Sequence, residues 1–572
     1  MIRPALRPIV RSRATCLLTL AALCLPATGL AAPGQDLATY ADRLLADAYP
    51  AAEPGAAVLV RDHGRTVLRK GYGLANVELG VPIAPEHVFE IGSVTKQFTA
   101  ASILLLAERG KLALSDPITR FLPDFPTHGE TITLEHLLTH TSGVHSYTEM
   151  QEWVPRWRED MSVDTLIAVF KDQPLDFKPG TQWSYSNSGY VLLGAVIEKA
   201  SGKSYEDFVE QEIFSRLGMT HTRYGHQEEI VPGRADGYAR NGDKLERAPY
   251  LSLTQPYAAG SLLSNVDDLA RWLDALQSPA ASNALLTADS LKRMFTPAIL
   301  RGGALDGVSA RYGFGYGVGT VARHKAFEHS GGIFGYVCDV LTLPEDGLQV
   351  ILLSNNAGAK WDPTRLVHRI ASKAVGTPIE DRRTVAVTEA KLAEYPAVYR
   401  VVEADKDRRV ISLKDGALAL QRTGGERHGL HASGPDTFLT EDDTEVRFER
   451  DAAGKVAAVV VDPGFGPLSR SPRTDEPPPA AKQTVEVAPE LLESLVGTYS
   501  LAPTFDIVIT REGAHLFAQA TGQQRLTLLA LSPLRFTLGE VDAEIEFVKA
   551  PDGGVGLILH QGGQDLPGKR KP

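Results

Sequence analysis

The sequence predicts an α+β domain followed by two small all-β domains. Three observations carry that reading. β-rich runs open and close the first two thirds of the chain, and helical patterns fill the middle. After about Thr384 only short strand patterns remain. That second region also repeats itself at an offset near 100 residues.

The order of elements begins with a leader. Arg3, Arg7, Arg11 and Arg13 make a basic start without an acid, an apolar run follows from Cys16 to Leu25, and small residues close it at "ATGLAAPG". This is the layout of a secretory signal peptide, residues 1–31, cut after Ala31. The apolar run is about a dozen residues, short of the ~20 that cross a bilayer. Bulky Leu23 before Cys24 argues against a lipoprotein signal. The expected mature protein is exported, periplasmic or secreted, with no membrane span after cleavage.

"GAAVLVRDHGRTVLRKGYG", from Gly55 to Gly73, reads as a hairpin around Asp62-His63-Gly64. "GSVTKQFTAASILLLAERG" opens a helix that ends near Gly110. Val191, Leu192, Val196 and Ile197 recur at helical spacing, with Gly202 as the stop. "YGFGYGVGTV", "AFEHSGG", "GYVCDVLTLPEDG" and "LQVILLSNN" then read as consecutive strands. Strands from both ends would join one antiparallel sheet, packed by helices and interrupted by a helical lobe, in a domain spanning 32–380. In the repeat, "LAEYPAVYRV" matches "LESLVGTYSL". Each copy continues with an isolated Phe (Phe438, Phe536) and a second Phe in an alternating strand (Phe448, Phe547). The expectation is two β-barrel or sandwich domains, 385–465 and 488–570, joined by a Pro-rich linker over 466–487.

The composition, 43% apolar and 23% charged, is that of an ordinary globular protein. Loss of the four leader arginines takes the formal charge from −11 to −15, which argues against a nucleic-acid partner. Cys16 and Cys24 leave with the leader, so Cys338 has no internal disulfide partner. His136 and His140 stand at i and i+4, but Glu135-His136-x3-His140 is not the H-E-x-x-H order of a zinc hydrolase. No metal or cofactor is expected, and "LLTHTSG" is read as closing a helix against the site. There is no G-x-S-x-G elbow.

The chemistry begins at Ser93 and Lys96, which share one helix face about a turn apart. A serine hydroxyl becomes a useful nucleophile when a nearby base takes its proton. A lysine serves as that base only if burial or a second cation keeps its amine partly neutral. On their own, Ser93 reads better as a helix cap and Lys96 as a solvated side chain. "FKPGTQWSYSNSGY" adds Tyr185 and Asn187 at i and i+2, on one side of an extended segment. A phenol beside an ammonium is expected to have a lowered pKa and to act as a general base. "EHSGGIFGY" adds His329, Ser330, Gly331 and Gly332 on a strand edge, where glycines let a substrate backbone approach.

Taken in order, Ser93-x-x-Lys96, Tyr185-x-Asn187 and His329-x-Gly331 resemble the serine penicillin-recognising hydrolases. The likeness is greatest to the group of D-Ala-D-Ala carboxypeptidases, class C β-lactamases, D-aminopeptidases and related esterases. "TITLEHLLTHTSGV", "IFSRLGMTHT", "AAGSLLSNVDDLARW" and "YGFGYGVG" extend it over residues 37–376. The resemblance implies a β-lactamase/transpeptidase-like sandwich, and the β-domains are similar to the two barrels of D-aminopeptidases. It implies Ser93 as the acylated nucleophile and Lys96 as the group that helps deprotonate it. Tyr185 passes protons, and Asn187 orients Lys96 and the substrate. His329 and Ser330 contact the substrate end, with Gly331 and Gly332 beside them, and the N–H groups of Ser93 and Gly332 form the oxyanion hole. Class C β-lactamases carry Lys-Thr-Gly where this chain has His329-Ser330-Gly331, which argues against efficient β-lactam hydrolysis. The expected partner is a small peptide or ester, with cell-wall fragments as a further candidate. An esterase or weak β-lactamase is the alternative activity, and a non-catalytic penicillin or wall-fragment binder is the alternative class.

Overall fold

The computed structural model describes residues 33–572 apart from 151–152, 242–243, 278–283, 380–384, 403, 405, 463–465, 480–481, 503–504, 522, 524, 540, 550–553 and 572. The expected signal peptide lies outside the described residues. Among the described residues, no helix is long and apolar enough to cross a membrane.

His63 and Gly64, with φ of 49° and 75°, turn the first hairpin. Two successive positive φ values give a turn whose twist matches that of the flanking strands. It joins β1 (Ala56–Asp62) to β2 (Arg65–Tyr72). The other four strands come from the far end of the domain: β3 (Gly317–Val321), β4 (His324–Ile333), β5 (Tyr336–Leu343) and β6 (Leu348–Ser354). The sheet runs β3-β4-β5-β6-β1-β2 and is antiparallel throughout. β1 meets β6 in register from Ala56↔Ser354 to Asp62↔Leu348, so the two ends of the domain join at mid-sheet, as the sequence predicts.

Alternation along β1 sorts its side chains onto two cores. Val58 and Val60 pack with Leu37 and Leu45 of α1 (Pro33–Ala48) and with Leu366 and Ile370 of α5 (Pro363–Ala374). Ala57 and Leu59 face the other way, in the cluster with Phe98 and Leu105 of α2 (Thr95–Glu108), Val196 of α3 (Asn187–Ser201) and Trp272 of α4 (Val266–Gln277). Twelve consecutive residues of α2, Thr95 to Leu106, are buried, so this helix is enclosed on all sides. Its first turn therefore begins inside the protein, where a lysine is held away from water.

The repeat is visible in equivalent contacts. Tyr399 Oη donates to Tyr395 O at 2.6 Å, and Tyr499 Oη to Leu495 O at 2.9 Å. Phe438 meets Phe448 edge-on at 5.6 Å, and Phe536 meets Phe547 edge-on at 5.7 Å. Each copy forms an eight-stranded antiparallel sheet. The second closes into a barrel. In the first, a bridge from Tyr399 to Arg473 nearly closes it. Its eighth strand, Ser469–Pro472, falls inside the stretch expected to be linker. "SRSP" has the composition of a linker, but an edge strand accepts proline because one side of its backbone need not pair. The first β-domain is tied to the α+β domain by Arg311–Asp462 at 2.7 and 3.0 Å and by Arg365 and Arg369 on Asp443.

Candidate active site

Ser93 lies in a 3-10 turn, Gly92–Val94, that runs directly into α2. Neither the turn nor the helix start has a side-chain cap, so Ser93 is not spent as an N-cap. The turn needs glycine at 92: its φ is 48°, and a Cβ there would stand 3.0 Å from the Gly332 backbone. This close approach brings the end of β4 beside Ser93. Gly331 is packed for the same reason, since a Cβ would meet Ile91 O at 2.2 Å and Cys338 Sγ at 2.5 Å. The chain's own Ile91 backbone occupies the space that the sequence reading gave to substrate. Gly332 faces open space.

Lys96 is fully buried. Its Nζ is 3.0 Å from Ser93 Oγ, 2.8 Å from Asn187 Oδ1 and 2.7 Å from Ala259 O. Burial holds its pKa well below the ordinary lysine range. The rings of Tyr185 and Tyr190, at 4.9 and 5.5 Å, favour the ammonium. Such contacts contribute about 0.5–2 kcal/mol. Burial outweighs them and shifts the balance towards the neutral amine. That form carries two hydrogens and one lone pair. Asn187 Oδ1 and Ala259 O can only accept, so they take the hydrogens, and Ser93 Oγ–H is left to donate to the lone pair. Asn187 is fixed in that orientation by its Nδ2, which donates to Thr148 Oγ1 at 3.1 Å.

Tyr185 and Asn187 flank Ser186, which caps α3. Ser186 Oγ accepts from Gly189 N at 3.2 Å and donates to Val144 O at 2.8 Å. The Tyr185 hydroxyl is buried against Ser93 without ordinary hydrogen-bond geometry. Burial pushes this phenol above its usual pKa, and the Ser93 contact offsets only part of that. The expectation of a lowered phenol pKa is thus reversed, because burial disfavours the phenolate.

His140 props this loop. It has φ 58°, its ring lies 4.3 Å from that of Tyr185, and its Nδ1 accepts from Ser186 N at 3.1 Å. Burial keeps it neutral. His136 closes a capping box with Thr133, and His145 bonds Asp176, so the three histidines have separate partners.

His329 is buried rather than presented to the cavity. Its Nδ1 donates to Ser330 O at 2.6 Å, which leaves Nε2 to accept from Tyr312 Oη at 2.7 Å. Burial lowers its pKa to about 3, so it stays neutral. Ser330 is half-buried. A cavity of about 380 Å³ opens beside Ser93, Asn187, Ala259 and Gly332. Of the four residues expected on the third element, Gly332 lines it.

Ala259, Thr148 and Tyr312 were not legible as site residues. Ala259 acts through its carbonyl, which every residue has, and "AAGSLLSNVDDLARW" gives only its neighbourhood.

The Beta-lactamase family model matches residues 25–374, more than half of the chain. The chain belongs to that family. The match ends before the first β-domain. The chain is 35% identical to PbpX of Bacillus subtilis (strain 168) over 273 residues, 47% of this chain and 64% of that protein. It is 30% identical to a penicillin-binding protein of the same organism over 419 residues, 68% of this chain and 86% of that protein. A D-amino acid amidase from Ochrobactrum anthropi SV3, solved with D-phenylalanine, superposes with a TM-score of 0.51 at 25% identity, covering 59% of this chain and 98% of the amidase.

Proposed function

We propose that this serine hydrolase of the beta-lactamase family is exported and cleaves amide or ester bonds beside a D-amino acid, through an acyl-enzyme at Ser93. The observation that carries the proposal is the buried Lys96 amine, 3.0 Å from Ser93 Oγ, which burial shifts towards its neutral form. Export is supported by the leader pattern of residues 1–31.

In the first half-reaction the Ser93 proton passes to Lys96 Nζ and Oγ bonds to the substrate carbonyl carbon. The N–H groups of Ser93 and Gly332 hold the oxyanion, each donor contributing about 10²–10³ in rate. The bond to the leaving nitrogen or oxygen then breaks. The leaving atom keeps the pair and receives the proton from Lys96, relayed by the Tyr185 hydroxyl. Water adds to the ester in the reverse order, giving a proton to the same base, and Ser93 Oγ departs with a proton. Acid–base help of this kind contributes about 10²–10⁴.

The amidase or aminopeptidase reading is favoured over carboxypeptidase and β-lactamase by His329. Its two nitrogens are engaged inside the protein, and it offers no cation for a terminal carboxylate. The D-amino acid amidase with bound D-phenylalanine supports the same choice. The test is hydrolysis of paired D- and L-amino-acid p-nitroanilides and p-nitrophenyl esters. A D preference that vanishes in Ser93→Ala is expected. An L preference, or full rates in Ser93→Ala, would overturn the reading.

A further inference from the structure

The cavity beside Ser93 is walled by Tyr147, Trp153, Leu251, Pro256, Ile333 and Phe334. Among the described residues, no acidic or basic side chain lines it. The two aromatic side chains with polar tips have those tips turned away. Tyr147 Oη donates to Gln255 O at 2.8 Å, and Trp153 Nε1 donates to Gln255 Oε1 at 2.5 Å. Gln255 is itself buried, and its Nε2 is held by Arg156 O and Glu159 O, both at 2.6 Å. What Tyr147 and Trp153 leave for a ligand is ring surface.

The walls are braced as well as apolar. Tyr147 meets Trp153 edge-on at 5.4 Å, and Trp157 backs Phe334 edge-on at 4.9 Å. The Asn187 and Thr148 side chains in the lining already have partners. Asn187 bonds Lys96 and Thr148, and Thr148 Oγ1 also lies 3.0 Å from Ser146 Oγ. A charged group entering here would lose its water and find no charged partner among the described lining residues, whereas an aromatic or branched aliphatic group would exchange water for ring faces.

We infer that this cavity binds the acyl-side side chain of the substrate, and that this side chain is uncharged and aromatic or branched aliphatic. The inference rests on the acyl-enzyme reading and adds the substrate class to it. The volume of about 380 Å³ admits a benzyl-sized group with the reacting carbonyl at Ser93.

The test is kcat/KM for the p-nitroanilides of D-Phe, D-Leu, D-Ala, D-Glu and D-Lys on the full chain. All five share the same α-amine and leaving group, so the series reads the side chain. D-Phe and D-Leu are expected to exceed D-Glu and D-Lys by roughly 10²-fold. Phe334→Ala and Trp153→Ala are each expected to narrow the D-Phe to D-Ala ratio by about tenfold or more. If buried Trp153→Ala does not fold, half-buried Phe334 at the cavity wall carries the test. A flat series, or one led by D-Glu or D-Lys, overturns the inference while leaving the acyl-enzyme intact. No turnover of any member, together with no labelling of Ser93 by a fluorophosphonate, overturns the acyl-enzyme reading and this inference with it.

Discussion

Asn187→Asp adds one negative charge next to Lys96 with almost no change in shape. The wild-type Oδ1 to Nζ distance is 2.8 Å. At that separation and an effective dielectric near 20, a unit pair is worth about 6 kcal/mol, or roughly four pKa units on the lysine. Part of this is lost because the new carboxylate is itself buried and favours its proton. A net rise of roughly two to three units is expected. The reaction uses the neutral amine, which is lost as pH falls through the Lys96 pKa. Raising that pKa moves the acid limb of kcat/KM to higher pH by the same roughly two to three units. At a pH on the acid side of the shifted limb the rate should fall below wild type, and it should recover as pH rises through that limb. The assay is kcat/KM for a D-amino-acid p-nitroanilide from about pH 5 to 10, beside Asn187→Ala, which removes the acceptor without adding a charge and should not move the limb upward. An Asn187→Asp limb that stays in place, or moves to lower pH, would refute the neutral-amine reasoning.

Three further outcomes follow from particular contacts. Gly194→Ala would set a Cβ 2.4 Å from the Tyr257 ring and 2.5 Å from Ala258, displacing the turn that gives Lys96 its Ala259 carbonyl. It should cost about 1–3 kcal/mol in chemical denaturation and lower kcat. Asp462→Ala removes the bidentate partner of Arg311, next to Tyr312, and should lower kcat about 2- to 30-fold without unfolding the first β-domain, as read by kcat and circular dichroism. Asp339 is fully buried, and burial, with nearby Glu328, lifts its carboxyl pKa to about 8. Because the folded pKa lies above the ordinary 3.8, its contribution to stability is greatest below that value and is lost as pH rises towards 8. Asp339→Asn should flatten the fall in melting temperature between about pH 5 and 8.

The sheet was legible because its strands carry their own signals: alternation, β-branched residues and the turn at His63-Gly64. The repeat was legible because its anchor residues, Tyr399 and Tyr499 with the paired phenylalanines, make the same contacts in each copy. The strand Ser469–Pro472 was hidden because composition cannot separate a linker from a proline-tolerant edge. At the site, the motifs gave the neighbours but not the proton inventory. Whether Lys96 is charged depends on its burial, and burial of a polar residue is set by distant packing around α2. The same holds for His329, whose motif position gave no sign that Tyr312 would hold it.

The central claim is that Ser93 forms a covalent acyl-enzyme. Its most direct measurement is the intact mass of the mature protein after exposure to a fluorophosphonate and, separately, to a penicillin, beside Ser93→Ala. The account predicts one fluorophosphonate adduct per chain, absent from Ser93→Ala, and any penicillin adduct confined to the same serine. An adduct that persists in Ser93→Ala, or a wild-type protein that stays unmodified by the fluorophosphonate, would contradict it.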